Sequence, residues 1–384
     1  MADSKIQQIF HYGWDNYSTR FNPSSVQSKA AHSIMNCKTG KLGCNVSLCQ
    51  DCGHITYHNN SCRNRNCPNC QAVLKELWID KRKSEVIDTP YFHVVFTLPA
   101  QLNPLIYANQ ELLYALLHRC SSETLLELAS NPKFLGATPG IIQVLHTWGQ
   151  ELNFHPHVHC IVTGGGLSSD LKLKSCGNGF FIPAPVLARK FRGKFLALLN
   201  DHFEKGKLNF SPSCSKLRNS YSFRELLNTL YSKTWCPEIR ETFNGHGNAI
   251  EYLGRYTHRI AITNTRIKCV TPDEVIFTAK DYKNKSVTKE VHLSNIEFIR
   301  RLMMHVLPHG FQKIRYYGFL TNRSKQKNLT IIFRIQGHQQ YQSMLNGLSM
   351  DEVLKAVWNY NIHICPACGR DGLKRIGRSY VLRI

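Results

Sequence analysis

Seven of the fifteen cysteines crowd into residues 37–70, and four of them form two CxxC pairs within CQDCGHITYHNNSCRNRNCPNC at 49–70. Each CxxC turn aims two thiolates at one ion, and two such turns complete a closed tetrahedral site. The spacing therefore predicts one structural zinc held by Cys49, Cys52, Cys67 and Cys70, with Gly53 giving the first turn its permissive backbone. A closed site leaves no coordination position for chemistry, so this metal is expected to hold a fold that presents Arg63 and Arg65 to DNA. Cys37, Cys44 and Cys62, with His32, His54 and His58, have three readings: a replacement ligand, a second site, or spare thiols. Cys365 and Cys368 form a further CxxC far downstream, which takes His363 as a ligand, joins the amino-terminal cysteines, or is a plain turn. A secreted disulfide scaffold is the competing class, and the absence of an export signal in the sequence weighs against it.

Charge narrows the partner. Lys and Arg total 48 against 26 Asp and Glu, a formal +22, and an excess of that size marks a polyanion whose counterions are released on binding. Residues 300–384 hold 14 of the basic and three of the acidic side chains. No long apolar run or basic amphipathic anchor supports a membrane surface, so a cytoplasmic, nucleoid-associated protein is expected.

Residues 91–98, YFHVVFTL, read as a buried strand, and Leu105 to Leu128 repeat at helical spacing. A second strand is expected over 141–148, a polar turn at 149–153, and a third strand through HPHVHCIVTGGG. Side chains repeat every two residues along a strand, so His157 and His159 share one face. His146, on the preceding strand of the hairpin, is placed to join them; His155, Gln143 and Gln150 are rival third ligands. Three imidazoles leave coordination positions free for a phosphate oxygen, which suits Lewis-acid activation of a phosphodiester, although a hydrolytic zinc enzyme fits them as well.

In NAIEYLGRYTHRIAI, Tyr252 and Tyr256 are four apart and would lie on one helix face. Aromatics at that spacing are often core packing, yet Gly254, Arg255, His258 and Arg259 make a purely apolar seam a poor description. Beside a polarised phosphate the phenol oxygens are candidate nucleophiles, with Arg255 and Arg259 holding the backbone or lying solvated.

Five segments together carry a family resemblance: SCRNRNCPNCQ at 61–71, PYFHVVFTLP at 90–99, VLHTWGQELNFHPHVHCIVTGGG at 144–166, EYLGRYTHRIAI at 251–262, and HVLPHGFQKIRYYGFL at 305–320. The chain resembles the insertion-sequence-91 family of rolling-circle transposases, members of the HUH endonuclease superfamily of two-tyrosine type. The resemblance implies a metal motif at His157, Val158 and His159, nucleophiles at Tyr252 and Tyr256, magnesium or manganese as the catalytic ion, and 5′-phosphotyrosine intermediates. Its implied partners are single-stranded DNA at element ends and target DNA, with host replication machinery acting on the freed 3′-hydroxyl. A plasmid replication initiator or relaxase of the same chemistry is the near alternative; a non-catalytic zinc-dependent DNA-binding regulator is the distant one.

The expected fold is α+β, with a central antiparallel sheet of HUH-nuclease type, a packed tyrosine helix and an amino-terminal zinc-binding module. Three segments are expected: a zinc module over 1–88, a catalytic domain over 89–300, and a basic region over 301–384. Within the last, Lys313 to Leu320 reads as a strand whose Arg315, Tyr316 and Tyr317 are available for backbone contact or base stacking, with core packing the alternative for the two tyrosines.

Overall fold

The computed structural model describes residues 4–177, 179–242, 254, 261–281, 287–337 and 341–379. Its centre is an antiparallel sheet built from β3 (Tyr91–Thr97), β4 (Thr138–Trp148), β5 (Phe154–Leu167), β7 (Glu238–Thr242) and β11 (Ile314–Gly318), in the order β11-β4-β5-β3-β7. A short strand, β6 (Leu173–Ser175), pairs with β5 beside this path. The β4–β5 hairpin follows the alternation and polar turn seen in the sequence, and the 91–98 run becomes β3 at its side.

Both faces of this sheet are covered, which is why its strands read as continuous apolar runs. On one face, Phe92, Val94, Phe96, Leu145, Val158, Cys160 and Val162 pack under helices α4 (Asn103–Ala108), α5 (Gln110–Ser130), α6 (Ala184–Glu204) and α7 (Ser220–Ser232). On the other, Tyr91, Ile142, Val144 and Ile161 meet Ile79 of α3 (Ala72–Lys83) and Leu329 and Ile332 of α9 (Lys325–Gln336). Each fully buried Leu, Ile or Phe contributes roughly 1.5–3 kcal/mol, so this two-sided core dominates the stability of the chain.

A second core joins distant parts of the sequence. Helix α1 (Lys5–Phe21) repeats Ile6, Ile9, Phe10, Trp14 and Tyr17 at helical spacing, and this stripe packs with Phe298, Ile299 and Met303 of α8 (Asn295–Met303). Helix α2 (Ser25–Met35) and the three-stranded sheet of β8 (Ile267–Val270), β9 (Glu274–Asp281) and β10 (Val287–Ser294) complete it. The three expected segments interlock: α1 docks on α8, and β11, beyond residue 300, is an edge strand of the central sheet.

Tyr316 of β11 takes the packing side of its two readings. Its hydroxyl accepts from Trp78 Nε1 at 3.1 Å and from the Arg82 guanidinium at 2.7 Å, while Arg82 also pairs with Glu85 at 2.8 Å. Tyr317 packs against the main core, and Arg315 lies over Phe311 at 5.3 Å.

Asp80 on α3 fastens the segment that follows α9. The buried carboxylate accepts from Tyr341 Oη at 2.7 Å, from Ser343 Oγ, and from the backbone N–H groups of Met344 and Leu345 at 3.2 and 3.0 Å. Burial opposes its charge, but these hydrogen bonds prevail and hold the carboxyl below the usual carboxylate range. Asp80→Ala is expected to cost about 2–3 kcal/mol at neutral pH, since it leaves the N–H donors without their acceptor. A carboxyl depressed in the folded state adds stability that is present above the unfolded value of about 3.9 and is lost as pH falls through the folded one. Urea titrations below about pH 4 should therefore show a shallower acid decline for Asp80→Asn than for the wild type; parallel declines would remove Asp80 from the acid response.

Candidate active site

The pleat places the histidines. Residues 142, 144 and 146 of β4, 157, 159 and 161 of β5, and 91, 93 and 95 of β3 share the face turned toward α3, as the alternation of the two cores requires. Across the β4–β5 ladder His146 pairs with His157 and Val144 with His159, so a direct and a diagonal neighbour bring three imidazoles together. One ring nitrogen from each of His146, His157 and His159 lies within 4.8 Å of the others. His146 and His159 are buried and His157 half-buried.

Their hydrogen bonds fix how the rings point. His157 Nδ1 lies 2.6 Å from the carbonyl of His155, which can only accept, so the proton sits on Nδ1 and Nε2 carries the lone pair. That Nε2 faces His159 Nε2 at 3.1 Å. His159 in turn meets a residue not singled out in the sequence: its Nδ1 lies 2.8 Å from Nε2 of His93, on the neighbouring strand β3. With the His159 proton on Nδ1, donated to His93, its Nε2 carries a second lone pair that faces the first. Two imidazole lone pairs in opposition are unfavourable without a cation between them, and three neutral imidazole donors suit a first-row divalent ion. A divalent cation held there would take three nitrogens from these rings and its remaining ligands from water or phosphate oxygen, the donors that the magnesium or manganese implied by the resemblance prefers.

His93 is the orienting residue. Burial, with the Arg240 charge adding to it, pushes its pKa down to about 4, which keeps the ring neutral, and in the tautomer with its proton on Nδ1 its Nε2 accepts from His159. Outer partners of this kind are worth about 10–100-fold in metal affinity. His93→Ala is accordingly expected to raise the cation concentration for half-maximal activity by about that factor while the rate at saturating cation changes much less. His93→Gln, which keeps an acceptor, should recover part of it; an unchanged metal dependence in both variants would make His93 packing alone.

Of the rival third ligands, Gln143 is turned to the opposite face, where it bonds His118 and Ser121 at 2.8 and 2.9 Å. His155 supplies its backbone carbonyl to His157 and falls outside the three-ring group, and Gln150 sits in the turn, where its backbone carbonyl accepts from Arg266. Trp148 stacks on His146 with ring centroids 4.5 Å apart and carries Lys313 Nζ 5.1 Å above its own ring. Beside them opens a cavity of about 240 Å³ lined by Trp148, Lys313, Arg65, Gln71, Ala261 and His305.

The cysteines sort differently from their sequence spacing. Cys67 and Cys70 group with Cys37 and Cys62, with Sγ–Sγ separations of 3.4 Å for Cys37–Cys70 and 3.6 Å for Cys62–Cys70. Cys49 and Cys52 lie apart from them, with Cys365 and Cys368. The expected quartet of Cys49, Cys52, Cys67 and Cys70 is thus divided, because β1 (Cys44–Cys49) and β2 (Ile55–Asn59) carry the first pair into a separate sheet. Thiolates in a tetrahedron of Zn–S bonds near 2.3 Å stand roughly 3.8 Å apart, close to the separations seen and far from the ~2.05 Å of a disulfide. Arg65 also departs from expectation: its terminal nitrogens donate to the carbonyls of Phe311, Leu307 and Pro308 at 2.8, 3.3 and 2.9 Å, tying the cysteine loop to the chain before β11. Arg63, at a positive φ of 53°, remains exposed.

Tyr252, Tyr256, Arg255 and Arg259 lie outside the described residues. Gly254, between the two tyrosines, is helical and buried, and a Cβ there would collide with Ile79 of α3. The glycine thus permits a close approach to the helix that covers the histidine-bearing face.

Residues 140–328 match the family model described as "Putative transposase", and residues 9–98 the one described as "Transposase zinc-binding domain". The chain is 42% identical over 327 residues to "Putative transposase y4qJ" of Sinorhizobium fredii, covering 85% of this chain and 82% of that protein. It is 30% identical over 305 residues to the transposase for insertion sequence element IS801 of Pseudomonas savastanoi pv. phaseolicola, covering 78% and 71%. No solved structure matches the chain. The class so defined is a transposase, a DNA-processing enzyme with a zinc-binding domain. Within that class, the chain belongs to the insertion-sequence-91 family. Among the described residues, no helix is long and apolar enough to cross a membrane.

Proposed function

We propose that the chain cuts and rejoins one strand of DNA by the rolling-circle route, as an HUH-type nuclease using Tyr252 and Tyr256 as nucleophiles. The observation that carries this reading is the pair of imidazole Nε2 atoms, on His157 and His159, held face to face beside His146. Magnesium or manganese bound there supplies Lewis acidity to the scissile phosphodiester. The protein's own residues do the rest. His155 and His93 hold the imidazoles in their tautomers, and Trp148 and Lys313 offer a ring and a charge beside the site for a base and its phosphate. The phenol oxygen of one tyrosine attacks phosphorus and gives up its proton, while the bond to the 3′ oxygen breaks and that oxygen leaves as a hydroxyl. The phosphate stays joined to tyrosine through its 5′ side, and attack by a 3′-hydroxyl reverses the step and joins a new strand. Arg255 and Arg259, beside the nucleophiles in sequence, are the proposed phosphate clamps.

Incubating the protein with labelled single-stranded oligonucleotides of an element end and magnesium or manganese tests this. A denaturation-resistant adduct is expected, and peptide mapping should place the nucleotide within residues 251–262. Binding without any adduct would leave only the DNA-binding regulator.

A further inference from the structure

The paired cysteines at 49, 52, 365 and 368 sit on two matched turns. In the first, Cys49 N–H donates to the carbonyl five residues on, at His54 (2.8 Å), and Gly53 N–H donates back to Cys49 O (3.0 Å). In the second, Cys365 N–H donates to Arg370 O (2.8 Å) and Gly369 N–H to Cys365 O (2.8 Å). Gly53 and Gly369 have φ of 72° and 73°, a left-handed backbone that each turn requires after its second cysteine. The turns thus share one path, although more than 300 residues separate them.

They face each other. Cys49 Sγ lies 3.7 Å from Cys368 Sγ and Cys52 Sγ 3.7 Å from Cys365 Sγ, the edge length of a tetrahedral four-thiolate site. Cys49 and Cys365 are buried; Cys52 and Cys368 are on the outside.

The surrounding lobe needs such a centre. Strand β12 (Leu373–Ser379) pairs antiparallel with β1 from Cys49↔Leu373 to Cys44↔Ser379, giving the three-stranded sheet β12-β1-β2. Among the described residues, the only buried apolar cluster of this lobe consists of Cys49, Cys365 and Leu373, while Ile55, Tyr57, Ile364 and Ile376 are exposed. Three buried residues are far too few to hold a three-stranded sheet by hydrophobic burial, and small lobes without a core are commonly organised by a metal.

We infer that Cys49, Cys52, Cys365 and Cys368 bind a second structural zinc ion, one that clamps the segment around residues 361–379 onto the segment around residues 44–59. The zinc-binding family match ends at residue 98, so half of this ligand set lies beyond it. Four thiolates in a closed tetrahedron select a thiophilic d¹⁰ cation, and the ion completes a ribbon whose two turns come from opposite parts of the chain.

The test uses the full chain without DNA, so it stands apart from the proposed strand-transfer chemistry. Elemental and native mass spectrometry should find two zinc ions per chain, and one or none would overturn the inference. Alkylation by N-ethylmaleimide, read by peptide mapping, locates the second ion. The exposed thiols of Cys52 and Cys368 should react at least about tenfold more slowly than the equally exposed Cys236 and Cys269, and should catch up once a chelator is added. Equal reactivity before chelation would sink the site whatever the zinc count. The Cys365→Ser, Cys368→Ser variant should lose one zinc of two, and Cys368→His, which keeps a ligand, should retain both; two ions in the double-serine variant would place the second zinc elsewhere.

Discussion

Replacing His157 and His159 together by alanine is expected to lower single-strand cleavage by about 10³-fold or more, while DNA affinity stays within a few-fold of the wild type. The first figure follows from the several kcal/mol that Lewis-acid charge stabilisation contributes, each 1.36 kcal/mol being tenfold in rate. The second follows from charge: neither histidine carries the formal +22 that draws the polyanion, and neutral imidazoles release no counterions. Gel-based nicking of an end-labelled oligonucleotide and a binding titration at fixed salt, made on the same preparation, separate the two effects. Nicking at the wild-type rate would remove the histidine centre from the mechanism, and a parallel loss of binding would point instead to a disturbed sheet.

Tyr252→Phe with Tyr256→Phe is expected to abolish the covalent protein–DNA adduct. Phenylalanine keeps the ring and its packing but has no oxygen to attack phosphorus, so residual adduct cannot come from a weakened version of the same nucleophile. Metal binding, measured by calorimetry with manganese, should persist, because the proposed protein ligands are the three imidazoles of His146, His157 and His159. The single variants then divide the labour: if one alone eliminates the adduct, the other acts at a later step. An adduct that survives the double change would overturn the nucleophile assignment.

The parts of this molecule that were legible in the sequence are those whose partners are near in the chain. The β4–β5 hairpin is a local turn flanked by alternation, so His146, His157 and His159 meet through a register that the turn itself sets. His93 was missed because it sits inside YFHVVFTL, where the apolar run hides which face each residue takes. Its signal was there: an imidazole in a strand covered on both sides needs a polar partner. The cysteines failed for a different reason. CxxC spacing identifies pairs but not which pairs share an ion, and the turn of Cys365 and Cys368, just before β12, returns from far along the chain to meet Cys49 and Cys52. Arg65 looked like a DNA contact on charge alone, yet three backbone carbonyls at 307–311 take its terminal nitrogens.

The division of the cysteines also sets an order of assembly during synthesis. Cys37, Cys62, Cys67 and Cys70 all leave the ribosome within one short stretch, so that site can load and close early. Cys49 and Cys52 emerge in the same stretch, but their partners Cys368 and Cys365 follow 319 and 313 residues later. At roughly 5–20 residues per second, those two thiols wait on the order of tens of seconds, exposed to oxidation and to stray metals. A chain released before residue 365 would keep the early cysteine group and the histidine hairpin but would lack two of the four thiols of the ribbon. Closure of the ribbon thus distinguishes a finished chain from an interrupted one.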